Sequence, residues 1–279
     1  MALVAALAPG RAHPRAVQFA SGVDLVEVYA TVTDADGRAV TGLGTADFRV
    51  SEDGRPQMIT AFSAGDFPLS VAVGLDRSFS MTPDRLLVAK AAGRAFVEAL
   101  RPGDKVMVVS IGSDTQTVAA LSIDRAAARE AIDRVDRWGT TPLYDATLDA
   151  IEAIRPGGGR RALLLLSDGD DRGSRIPGLD LVERARQSDV LVYPIAIGRK
   201  PVPLFAELAA ATGGRSAEVR EVREAADTAA GVARELRFQY LLGYTPSTPR
   251  QSGPRWRSIH VEVTRSSARV RARDGYQAR

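Results

Sequence analysis

The apolar positions of this chain change period twice. From Val23 to Phe62 they alternate with polar ones. Val23, Leu25, Glu27, Tyr29 and Thr31 share one face, and Val26, Val28, Ala30 and Val32 share the other. Asp36-Gly37 and Asp53-Gly54 supply turns, with extended segments at Ala39-Val40, Phe48–Val50 and Gln57–Phe62. Some forty residues of this kind form half a β-sandwich and need a partner. From Pro68 the period changes. Unbroken apolar runs at Pro68–Leu75, Lys105–Ile111, Arg161–Ser167 and Val190–Ile197 read as strands buried on both faces. Between and after them, Asp84–Leu100, Asp124–Val135, Pro142–Ile154, Leu179–Gln187, Pro203–Thr212 and Ala225–Leu236 read as helices. Alternation returns at Phe238–Tyr244, Trp256–Thr264 and Ala268–Arg273.

Strands alternating with helices predict an α/β body with a Rossmann-like, doubly wound and mostly parallel sheet. The two β ends predict a small β-sandwich built from both chain termini, with the α/β body inserted in it. The expected division is 1–21 as a flexible N-terminus or signal-peptide remnant, 22–64 as β, 65–236 as α/β and 237–279 as β pairing with 22–64.

Composition narrows the chemistry. The 279 residues carry a net charge of +3 and no cysteine, which removes thiol catalysis, zinc–thiolate sites and disulfides. His13 and His260 lie outside the α/β region, so no Ser-His-Asp arrangement is suggested. Lysine occurs only at Lys90, Lys105 and Lys200, and arginine is scattered instead of striped with aromatics, so no nucleic-acid partner is expected. Arg265, Arg269, Arg271 and Arg273 are expected to line a solvated strand edge. No segment approaches the roughly 18 apolar residues that span a bilayer. Met1–Ala8 reads either as the remnant of a secretory signal, without its basic start, or as an alanine-rich terminus.

The candidate chemistry lies where the first buried strand stops. Asp76, Ser78 and Ser80 place an acid and two hydroxyls at alternate positions, immediately before Thr82-Pro83, a helix N-cap and first-turn proline. An oxygen-only set suits Mg²⁺, Mn²⁺ or Ca²⁺ and not zinc; equally, the hydroxyls could only cap the helix. Thr140 and Thr141 precede another helix, and Asp168 ends a buried strand. In a doubly wound sheet all of these can share the ligand-binding edge.

In this order the three segments resemble the metal-ion-dependent adhesion site (MIDAS) of von Willebrand factor A (VWA) domains. The resemblance implies a divalent cation, Mg²⁺ first, held by Asp76, Ser78, Ser80, Thr141 and Asp168, with Thr140 as the alternative to Thr141. Val32–Gly37, Gly42–Phe48, Ser51–Gly54, Tyr240–Tyr244 and Val270–Tyr276 are similar to the flanking β segments of a group of bacterial VWA proteins, usually exported or in the envelope. The expected function is noncatalytic binding of a protein whose Asp or Glu completes the cation's shell. Metal-assisted hydrolysis of a phosphate or ester, or an envelope structural role with a stabilising metal, are the alternatives. Arg77 departs from the small residues frequent at its motif position and is expected at the surface. Asp170, Asp171 and Ser174 are expected in a solvated acidic loop, Tyr144 and Asp145 in packing and capping, and Trp138 partly buried.

Overall fold

A computed structural model describes residues 25–65, 67–198, 200–247 and 255–278. Met1–Ala8, His13 and the 1–21 segment lie outside the described residues. The chain begins with β1 (Val26–Thr33), β2 (Phe48–Glu52), β3 (Arg55–Gln57) and β4 (Ile59–Ala64). The α/β body follows as β5 (Leu69–Asp76), α1 (Pro83–Ala99), β6 (Lys105–Ile111), β7 (Gln116–Ser122), α2 (Arg125–Arg134), α3 (Leu143–Ile154) and β8 (Arg160–Ser167). It continues through α4 (Gly178–Gln187), β9 (Val190–Ile197), α5 (Pro203–Thr212), β10 (Ala217–Val219) and α6 (Val222–Glu235). Four strands close the chain: β11 (Gln239–Tyr244), β12 (Arg255–Val263), β13 (Arg269–Arg271) and β14 (Gly275–Ala278). Among the described residues no helix is long and apolar enough to cross a membrane.

The central sheet runs β10-β9-β8-β5-β6-β7, parallel except for β7. Every residue of β5 and of β9 is buried, because helices cover both faces. The core on one face is completed by α1, α2 and α6, and that on the other by α3, α4 and α5. Thr82 caps α1, its Oγ1 accepting from Arg85 N at 3.4 Å, with Pro83 opening the helix. Asp124 caps α2 in the same way through Ala127 N. Gly213, at φ +84°, ends α5 in the left-handed conformation that costs glycine nothing.

The chain winds from β5 to β6 on one side, then returns to place β8 on the other. That reversal opens a crevice at the carboxyl ends of β5 and β8, where ligands bind in open α/β sheets. Asp76 and Ser167 are the last residues of these two strands.

The end segments form two four-stranded antiparallel sheets, β13-β1-β11-β4 and β14-β12-β2-β3, each mixing strands from both ends of the chain. Val26, Val28, Ala30 and Val32 enter a shared core with Phe48, Val50, Tyr240, Leu242, Ile259 and Val261. Buried Glu52 of β2 accepts from Tyr244 Oη of β11 (2.8 Å) and Tyr276 Oη of β14 (2.9 Å).

Three local details differ from the sequence reading. The expected strand over Gln57–Phe62 breaks at Met58, which is exposed, so β3 pairs with β2 and β4 with β11 in the other sheet. β7, β10 and β14 were not anticipated: β7 is a largely exposed edge strand with no alternation, and β10 and β14 have only three and four residues. Of the four tail arginines, Arg265 and Arg269 are exposed. Arg271 instead pairs with Glu235 of α6, and Arg273 donates to Glu27 O (2.7 Å).

Candidate metal centre

Asp76 ends β5 with no exposed surface. Its Oδ1 accepts from Ser78 N at 2.9 Å and from Thr141 Oγ1 at 3.3 Å. Its Oδ2 accepts from Ser167 Oγ at 2.6 Å. The turn after β5, closed by Met81 N donating to Ser78 O at 3.1 Å, brings Ser78 Oγ and Ser80 Oγ to 3.0 Å. Ser80 Oγ then donates to Asp168 Oδ1 at 3.1 Å. Thr141, Asp76, Ser78, Ser80 and Asp168 are therefore joined by one run of hydrogen bonds across three loops, passing from Asp76 to Ser78 through the Ser78 backbone N–H.

The middle loop is fixed by backbone bonds to the first. Trp138 N donates to Arg77 O (2.7 Å), and Phe79 N donates to Gly139 O (2.9 Å). Gly139 sits at φ +74°, and a Cβ there would fall 2.1 Å from Ser113 Oγ. Ser113 Oγ accepts from Thr140 N at 3.0 Å, and this turn leaves Thr140 exposed while burying Thr141 against Asp76. The two threonines were open alternatives in the sequence, and it is Thr141 that joins the cluster.

Neither threonine caps α3. Tyr144 N donates to Ser174 Oγ (2.9 Å) and Asp171 Oδ1 (3.3 Å), and Asp145 N donates to Ser174 Oγ (3.3 Å). The segment expected as a solvated acidic loop thus supplies the missing cap from some thirty residues away, satisfying donors that Pro142 cannot. Asp145 returns the bond, its Oδ2 accepting from Arg175 N and Nε, each at 3.0 Å. Only Asp170, paired with exposed Arg172, keeps the solvated role.

Burial pushes the Asp76 carboxyl up to about 6, against the pull of the Ser167 and Ser78 bonds. No cation reaches Asp76 among the described residues. Asp168 differs, because Arg85 Nη1 donates to its Oδ2 at 2.8 Å and also to Ser80 O at 3.1 Å. Arg85 so offsets one of the two acids, whose charges would otherwise balance a divalent ion. No group of three or more His, Cys, Asp and Glu side chains among the described residues is placed to hold a metal. The fit rests instead on three hydroxyls and two carboxylates, one of them buried with no counter-ion among the described residues, a donor set for a hard divalent cation.

Several neighbours were not legible beforehand. Ser167 and Arg85 touch the cluster directly. Arg77, expected at the surface, has a side chain only 17% exposed and holds Asp114 at 2.9 Å. Trp138, expected partly buried, is 59% exposed, as is Phe79 at 58%. For both, the backbone bonds that lock the two loops together leave the rings outside.

Fold and crevice together define the class: the α/β body has the VWA fold. Residues 71–170 match the family model of the von Willebrand factor type A domain. The BatB protein of Bacteroides thetaiotaomicron is similar at TM-score 0.52 and 19% identity, over 61% of this chain and 97% of that one. A von Willebrand factor type A protein from Catenulispora acidiphila is similar at TM-score 0.55 and 14% identity, over 91% of this chain and 74% of that one. Proximal thread matrix protein 1 of the mussel byssus, in a structure whose MIDAS motif is occupied by zinc, gives TM-score 0.55 and 18% identity. That match covers 67% of this chain and 50% of the mussel chain, so this chain spans about half of its length. A search of curated proteins by sequence gives no match.

Proposed function

We propose that Asp76, Ser78, Ser80, Thr141 and Asp168 hold a divalent cation whose remaining position is filled by an Asp or Glu of a protein partner. The observation that carries this reading is the run of hydrogen bonds, one of them from the Ser78 backbone N–H, that joins these five residues around a buried carboxylate with no counter-ion among the described residues. With Arg85 on Asp168, the ion receives less than full neutralisation from the protein and stays electrophilic. A partner carboxylate then supplies a charge-assisted bond and fixes orientation. The role in this reading is noncatalytic binding.

Mg²⁺ is the first choice of ion, with Mn²⁺ and Ca²⁺ behind it. Zinc joins the list of ions to be tried, because it occupies the motif in the mussel protein, and the preference against it on ligand softness alone does not stand. We place the protein in the envelope, periplasm or outside the cell, following the likeness of its flanking β segments to exported bacterial VWA proteins. In that setting residues 22–64 and 237–279 act as one β unit carrying the 65–236 body.

The test is capture of envelope proteins on the immobilised chain in Mg²⁺ and in EDTA, with Asp76→Ala as control. The expected result is a partner retained only by the wild type in Mg²⁺. A partner held equally in EDTA, or by the variant, contradicts the reading.

A further inference from the structure

The crevice has an asymmetric border. Phe79 stands between Ser78 and Ser80, with its ring 58% exposed. Trp138, 59% exposed, lies alongside on the loop that ends in Thr141. The two are held together by the Trp138 N to Arg77 O and Phe79 N to Gly139 O bonds. Arg137 completes the group: its Nη2 donates to Phe79 O at 2.8 Å, and its guanidinium carbon lies 5.9 Å from the centre of the Phe79 ring. Behind them Gly112 is closely approached, since a Cβ there would sit 3.1 Å from Trp138 O.

Two large exposed aromatics on loops bonded to each other beside the crevice form an apolar border of the kind that marks an interaction site. Trp and Arg are also the residues that dominate binding energy at interfaces. Charge selects the occupant. Arg77 and Arg85 are each neutralised within the chain, by Asp114 and Asp168. Arg137 has no carboxylate partner among the described residues, and its Nε is buried without an acceptor. Fixed backbone bonds also mean that little ordering entropy is lost on docking.

We propose that Phe79, Trp138 and Arg137 form a specificity rim for an acidic protein segment. The carboxylate that completes the ion is flanked, in that segment, by a large apolar side chain packing on Phe79 and Trp138 and by a second acid meeting Arg137. This rests on the metal-bridged reading above and narrows its partner from any exposed acid to an acid–apolar–acid surface.

Selection of a displayed library of short random peptides on the folded full chain tests it, with Mg²⁺ and with EDTA. The wild type in Mg²⁺ is expected to enrich peptides joining an acid to an aromatic or large aliphatic residue and a second acid. Phe79→Ser combined with Trp138→Ser is expected to keep the acid and the Mg²⁺ dependence, lose the apolar preference, and weaken the best wild-type peptide about tenfold. Arg137→Glu loses only the second acid. Melting curves and Mg²⁺ calorimetry on the variants establish that fold and ion site are intact. Acidic, Mg²⁺-dependent peptides whose sequences do not change in the rim variants, or no enrichment at all in Mg²⁺, overturn the rim. Peptides enriched equally in EDTA and on Asp76→Ala overturn the metal-bridged reading, and the rim with it.

Discussion

Asp76 is held by hydroxyl and amide donors yet has no cation beside it among the described residues, so without metal its charge is a burden on the fold. Asp76→Asn is therefore expected to leave stability in EDTA unchanged or raise it by about 1 kcal/mol, while abolishing any rise on adding Mg²⁺; urea unfolding with and without the ion reads both. A clear loss of stability in EDTA would show the carboxylate to be compensated after all. Ser167→Ala removes a buried bond to that carboxylate and is expected to cost about 1.5–3 kcal/mol and to weaken Mg²⁺ binding. Four members of the cluster were legible because Asp76 and Asp168 stand at the ends of buried strands with Ser78 and Ser80 in the turn after the first, whereas Thr141, between α2 and α3, was singled out by the motif it resembles. Ser167 was not legible, since it reads as the last residue of an apolar run. Arg85 was not, because its partner Asp168 is distant in sequence and met only through the β5–β8 crevice.

At the scale of elements, buried runs gave the central strands away while exposed segments hid. β5, β6, β8 and β9 carry apolar runs through most of their length because helices cover them on both sides. β7, with one edge free and most of its residues exposed, carries no comparable signal. The cap of α3 was hidden for another reason: it comes from Ser174 and Asp171 in the loop after β8. Ser174→Ala is expected to cost about 1 kcal/mol by thermal unfolding and to loosen the loop carrying Asp168. Gly139→Ala acts on the other side of the crevice. A left-handed backbone and a Cβ driven into Ser113 give an expected loss of about 1–2 kcal/mol, with Mg²⁺ affinity falling roughly tenfold as Thr141 shifts. Unchanged Mg²⁺ affinity in this variant would remove Thr141 from the site.

Across the whole molecule, the sheets from the chain ends and the α/β body are fastened by buried arginines. Arg160, 1% exposed, opens β8, stacks between Tyr29 (4.5 Å) and Phe67 (4.6 Å), and donates through Nη1 to Leu236 O. Burial lowers its pKa to about 10, so it stays charged at neutral pH. Arg237 pairs with Asp104 just beyond, where the chain leaves α6 for β11. Both crossings between the layers are thus pinned by a cation. Arg160→Ala is expected to cost about 3 kcal/mol through two lost ring contacts and the space left behind, and to separate the unfolding of the sheets from that of the body; one unchanged cooperative transition would deny the coupling. Alternation at the two ends suggested their union from sequence. The fastening was invisible there, because an arginine-rich composition does not mark which guanidinium is buried.

The central claim is that five oxygen-bearing side chains make one cation site. Isothermal titration of Mg²⁺ into the wild type and Asp76→Ala tests it most directly. The account predicts saturable binding of one ion per chain by the wild type and none by the variant. Equal heats from both proteins would contradict it.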